Sequence, residues 1–65
     1  MAKNIEGLRE IFLRVYADIP LNLRKEIVLF LDKEPISWNV AYVEVVNKTE
    51  KSKIILNKLS ELKIV

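Results

Sequence analysis

Glu26-Ile27-Val28-Leu29-Phe30-Leu31-Asp32, with Pro35-Ile36-Ser37 close behind it, is the stretch on which the fold turns. Together with Leu23, the apolar residues Ile27, Phe30 and Leu31 recur at helical spacing and suggest one buried helix face. The stretch therefore reads as a helix that starts around Pro20 to Asn22, with Asn22 as its cap, and ends before Pro35, since proline disfavours helical geometry in the residue before it. Val28 and Leu29 fall on the other side of that helix, beside Lys25 and Asp32, where a single core face does not require them. With Leu13 and Tyr16 from the preceding segment they make a candidate second interface.

The flanking segments extend this pattern in both directions. From Asn4 to Tyr16, the residues Ile5, Leu8, Phe12, Val15 and Ile19 recur at steps of three and four, with Glu6, Arg9, Glu10 and Arg14 on the wet side. Asp18-Ile19-Pro20 ends that helix. After the turn at Pro35-Ile36-Ser37, Ser37 caps a stripe of Trp38, Ala41, Tyr42 and Val45. A strand is the competing reading for Val40-Ala41-Tyr42-Val43-Glu44-Val45-Val46, which is rich in β-branched and aromatic residues. Helix is preferred, because an isolated strand would have nothing elsewhere in the chain to pair with. Asn47-Lys48-Thr49 is a polar break, Thr49 caps the last helix, and Ile55, Leu56, Leu59 and Leu62 form its buried face. The expected fold is all-α: one domain over residues 1–65, a compact array of about four short helices.

Size and composition narrow the chemistry. A chain of 65 residues buries only about 60% of the surface its unfolded form exposes. With an apolar fraction of 51%, some apolar side chains are left to face a neighbour. The chain has neither Cys nor His, which excludes disulfides, thiolate and imidazole metal sites, and the commonest nucleophile and base sets. Its carboxylates are interleaved with Lys and Arg as solvated faces, so a non-enzyme with no catalytic residues and no cofactor is expected. Asp32 and Glu34 lack the acidic loop spacing and glycine of a calcium site, and no metal is expected. The single glycine, Gly7, sits within a helix and forms no phosphate-cradling loop. No apolar run approaches the ~20 residues of a membrane span, and charged residues interrupt any signal-like stretch near the start, so a cytoplasmic protein is expected.

Charge is unevenly spread. From Lys48 onward five lysines face two glutamates, a local net of +3, while the preceding residues net −1. A basic last helix suits a phosphate backbone, and equally suits a lysine-rich solvated face.

From Arg24 to Val65 the order of an aliphatic helix, a Pro-apolar-Ser turn, Ala41, a polar break and Leu56, Leu59, Leu62, Ile64 and Val65 resembles the tri-helical core of winged-helix DNA-binding proteins. No glycine marks the turn before the last helix, so Asn47 would take the left-handed position there, and no wing follows. The resemblance implies a helix-turn-helix-like protein with its last helix in the major groove of double-stranded DNA. Thr49, Lys51, Ser52, Lys53 and Asn57 would face the duplex, and Lys48 and Lys58 would touch phosphates. So small a monomer makes few phosphate contacts, which implies a homodimer. The alternative is a small helical interaction module or accessory subunit that docks Leu13, Tyr16, Val28 and Leu29 on a larger protein.

Overall fold

The computed structural model describes residues 4–65 and differs from the all-α expectation at its centre. Its elements are α1 (Ile5–Ala17), a 3-10 turn (Leu21–Leu23), β1 (Ile27–Leu31), β2 (Glu34–Ser37), α2 (Trp38–Val46) and α3 (Glu50–Glu61). Three helices and a two-stranded antiparallel hairpin replace the four helices, and the tri-helical arrangement over residues 24–65 goes with them, since a hairpin stands where its first helix was expected. Two features explain the correction. Ile27, Val28 and Phe30 suit a pleated surface better than a helix. Their pairing partner is only a turn away, so β1 is not an isolated strand.

The hairpin pairs Leu31 with Glu34, Phe30 with Pro35, and Leu29 with Ile36, and an irregularity between Ile27 and Leu29 shifts the register before Ile27 meets Ser37. Asp32 and Lys33 form its two-residue loop with φ of 47° and 72°, the positive values that a type I′ turn needs at both central positions. Alternation along the strands then places Leu29 and Ile36 on one face, where both are buried, and Phe30 and Pro35 on the other, where both are exposed. Leu29, expected at an interface, is therefore core, whereas Ile27 and Phe30, expected in the core, lie outside.

The helices begin and end by local rules. Asn4, Ser37 and Thr49 cap α1, α2 and α3, their side chains accepting from the backbone N–H of Gly7, Val40 and Ser52. Residues 38–46 are helical, which decides against the strand reading of that stretch. Both α2 and α3 close on a left-handed lysine. Lys48 (φ 54°) donates to the Val45 carbonyl and Thr49 to that of Glu44; Lys63 (φ 61°) donates to Ser60 and Ile64 to Leu59. Each is a Schellman closure. Lys48, not Asn47, holds the left-handed position before α3.

One core joins the layers. Leu8 and Phe12 of α1, Ala41 and Val45 of α2, and Ile55, Leu56 and Leu59 of α3 meet Leu29 and Ile36 from the hairpin, with Val65 closing the end. Leu62, expected in the core, is half exposed. Leu13, Tyr16 and Val28 are partly buried and pack against the core's margin.

Two stability experiments follow. Ile36→Ala should cost about 2–5 kcal/mol in urea unfolding, because the side chain is fully buried; a cost below about 1 kcal/mol would mean the hairpin is an appendage, not part of the core. Lys48→Gly and Lys63→Gly should each raise the unfolding free energy measured in urea by about 0.5–1 kcal/mol, since glycine relieves the left-handed strain.

Candidate functional site

The basic surface expected on the last helix is divided by its own periodicity. Lys51 and Lys58 are seven residues apart and share one side of α3 with Ile54, while Lys53 lies roughly 160° and Asn57 roughly 120° around the helix from Lys51. The lysines also have carboxylates within reach. Lys51 Nζ lies 2.9 Å from Glu34 on the hairpin, Lys53 Nζ 3.3 Å from Glu50, and Lys58 Nζ 3.9 Å from Glu61. Such surface pairs contribute about 0–1 kcal/mol each, so they neutralise charge without locking the side chains. Lys48, Lys53, Asn57 and Lys58 are exposed and Lys51 is half-buried.

Thr49 and Ser52 serve the fold. The Thr49 hydroxyl oxygen accepts the Ser52 N–H at 3.1 Å while its proton goes to Glu44 Oε1 at 2.5 Å. Ser52 is fully buried and its hydroxyl donates to the Thr49 carbonyl at 2.5 Å. The residue placed on the duplex side by the resemblance thus lies inside the protein.

Tyr16 belongs to an aromatic column that ties α1 to α2. Its ring stacks on Phe12 at 6.1 Å and on Tyr42 at 4.3 Å, and Phe12 in turn stacks on Trp38 at 5.9 Å. The Arg24 guanidinium lies 4.4 Å over the Tyr16 ring, a cation–π contact, and the Tyr16 hydroxyl donates to Asn39 Oδ1 at 2.8 Å. Arg9, expected on the wet side of α1, is buried instead. Its Nε donates to the Val45 carbonyl at 3.3 Å, near the C-terminal end of α2 where a positive charge is favoured, and it pairs with Glu6.

What sequence reasoning passed over is the outer face of α2. Ala41 and Val45 turn inward, yet Val40, Val43 and Val46 face out, and Val43 is 53% exposed. Of the nine residues in α2 only Asn39 and Glu44 are polar. A helix apolar all round ordinarily lies buried among others. β-branched residues are also poor helix formers at a solvated position, so exposed valines here lower helix stability with no return inside the monomer. The signal was present in the sequence as the three valines left over once Trp38, Ala41, Tyr42 and Val45 were assigned to the core. A second apolar exposure pairs Phe30 of the hairpin, 60% exposed, with Ile54 of α3, 58% exposed.

Among the described residues no group of three or more acidic side chains is placed to hold a metal ion, and Glu34 faces Lys51. No helix among them is long and apolar enough to cross a membrane. No known protein family, no curated protein and no solved structure matches the chain.

The Glu6–Arg9 pair yields a pH test. The hydrogen bond from Arg9 holds the exposed Glu6 carboxyl below its ordinary 4.5 against an opposing desolvation, and the charges of Arg9 and Lys48 add to the lowering. A depressed carboxyl stabilises the folded state above its unfolded pKa and loses that contribution as pH falls through the folded value. Urea midpoints should therefore drop on acidification below 4.5, and Glu6→Gln should flatten that part of the profile; an unchanged profile would mean the pair contributes nothing.

Proposed function

We propose that this protein is a small protein-interaction module, an accessory subunit that docks the outer face of α2 on a larger protein partner. The observation that carries the reading is the triplet Val40, Val43 and Val46, exposed on a helix whose opposite face is already in the core. Apolar residues in such a contiguous stripe, with no charge among them, mark a recognition surface more often than a solvated one. The absence of Cys and His fits a binding role without catalysis, and a cytoplasmic setting belongs to the same proposal.

Binding of double-stranded DNA along α3 is the second reading. It rests on the basic C-terminal part of the chain and on the three-residue break, Asn47-Lys48-Thr49, between two consecutive helices. It is the weaker of the two, because Lys51, Lys53 and Lys58 face carboxylates of this chain, two directions of the helix divide the lysines, and Ser52 is inside. Phosphates could replace those carboxylates at little cost in stability.

One set of variants ranks the two. Val43→Lys should leave the isolated domain folded, with stability within about 0.5 kcal/mol, because the position is exposed and lysine is the better helix former. It should abolish co-purification of a specific partner that the native chain captures from extracts of its own cells; a partner retained by Val43→Lys would remove α2 as the docking face. Duplex affinity across a salt series tests the other reading. Affinity that falls with salt, and weakens when Lys51 and Lys53 are both changed to Ala, would transfer the function to α3.

A further inference from the structure

Where α1 ends, the chain turns through Asp18-Ile19-Pro20 into the 3-10 turn Leu21–Leu23 and then returns to the start of α2. The Trp38 N–H donates to the Glu26 carbonyl at 3.1 Å and the Asn39 N–H to that of Arg24 at 2.9 Å, which holds the far end of this loop against the helix. A cleft of about 450 Å³ lies there, within the roughly 300–1,000 Å³ of ligand-binding clefts. Val15, Ile19, Leu23 and Trp38 give it an apolar lining. Trp38 stacks on Phe12 5.9 Å away and still borders the cleft.

The charge on this lining has one sign. Asp18 and Glu26 border the cleft and no base does. Both carboxylates are exposed, and neither forms an ion pair or a side-chain hydrogen bond with any described residue. Elsewhere Glu6, Glu34, Glu50 and Glu61 each pair with a base, and Glu44 accepts from Thr49. Arg24, which lies between the two acids in sequence, is committed to other groups. Its Nε donates to the Ile19 carbonyl at 3.0 Å, and its guanidinium lies 4.4 Å over the Tyr16 ring. Arg14, one turn before Asp18, and Lys25, next to Glu26, pair with neither carboxylate. An apolar cleft with two unpaired acids therefore offers a negative potential that the monomer leaves unanswered, and a positively charged occupant complements it.

We propose that this cleft seats a basic amphipathic segment of a protein partner. One large apolar side chain of that segment enters between Ile19, Leu23 and Trp38, and the lysines or arginines beside it meet Asp18 and Glu26. A length of chain fits better than a small cation because of Leu21, which stands 79% exposed on the 3-10 turn between Ile19 and Leu23. An occupant confined to the cleft leaves that side chain in water, whereas a segment crossing the turn covers it. The inference goes beyond the α2 reading: none of Val40, Val43 and Val46 lines the cleft, and the chemistry asked of the partner is cationic, where the valine face asks for an uncharged one.

Trp38 is the single tryptophan of the chain, so its fluorescence reports on the cleft directly. The probe is a short tryptophan-free helical peptide of leucine and lysine with its leucines on one face. Titrated into the full chain at low salt, it should shift the Trp38 emission to shorter wavelength and saturate. Affinity should fall as salt rises, and by at least about tenfold in the double variant Asp18→Asn, Glu26→Gln. Val43→Gln should bind like the native chain. Two control peptides, one with glutamate in place of lysine and one with serine in place of leucine, should give no saturable shift. The proposal is overturned by a native chain that shows no saturable shift, by equal affinity in the double variant, or by a control peptide that binds as well as the probe. If the double variant does not fold, the glutamate peptide on the native chain decides. Equally tight binding of n-hexylammonium would make this a small-cation site, and self-association of the native chain that the double variant loses would give the cleft to a second copy; either result overturns the partner segment. Loss of peptide binding in Val43→Gln would move the seat to α2 and overturn it as well.

Discussion

Two consecutive residues with positive φ, Asp32 and Lys33, hold this fold together, because they fold the apolar run Ile27–Leu31 back against Glu34–Ser37. The turn sets which residues oppose one another, and a slip of one position would send every side chain to the opposite face. With the observed pairing, Leu29 and Ile36 enter the core together and supply the floor on which Ala41, Val45 and the α3 aliphatics pack. Ser37, last residue of β2, is also the cap of α2, so the same turn fixes where that helix starts. The hydrogen bonds from Trp38 to the Glu26 carbonyl and from Asn39 to that of Arg24 continue the strand pairing into the first turn of the helix. Lysine is not favoured at a left-handed position, whereas aspartate takes one more readily, and the strain at Lys33 is tolerated because the burial of two large aliphatic side chains depends on the turn.

A core built from ten buried side chains leaves little margin, and the chain spends four of its five aromatic residues and two arginines on joining elements rather than on a site. The column Trp38, Phe12, Tyr16, Tyr42 bridges α1 and α2, and Arg24 seals it through a cation–π contact and a hydrogen bond to the Ile19 carbonyl. Arg9 connects α1 to the far end of α2. Buried hydrogen-bonding side chains are otherwise satisfied among the described residues, so no orphaned polar group points toward a bound ligand.

The helices at the two ends were legible because they carry both periodicity and caps: Asn4 and Leu8-Phe12 for α1, Thr49 and Ile55-Leu56-Leu59 for α3. The hairpin was not. A five-residue apolar run has no periodicity that separates strand from helix, Ile27, Phe30 and Leu31 happen to fall at helical steps, and Pro35 mimics a helix stop. The Asp32-Lys33 loop lacks the glycine or asparagine that advertises a two-residue turn. Left-handed lysines at 48 and 63 were hidden for the same reason. At the surface, the lysines of α3 could be read from composition, but their carboxylate partners could not: Glu34 reaches Lys51 only because the hairpin carries it there. Burial of Ser52 and Arg9 is likewise a tertiary effect, since both sit where the helical pattern alone allows solvent.

The two exposed apolar surfaces differ in a way that bears on their use. On α2, valine is kept at positions where lysine, glutamate or alanine would make a better solvated helix, so the residues oppose local stability and need an external reason. On β1, Ile27, Val28 and Phe30 are what a strand prefers, and local stability is served by keeping them; what needs explanation there is the missing guard on one edge when Pro35 guards the other. The first surface is a face of side chains, suited to a groove or helix on another protein. The second is a backbone edge beside a hollow whose lysine on α3 already faces a glutamate of the hairpin in the same chain. Since α2 packs beside β2 and α3 while the open edge belongs to β1, one chain can present both surfaces at once, and occupation of one does not require the other to be vacated.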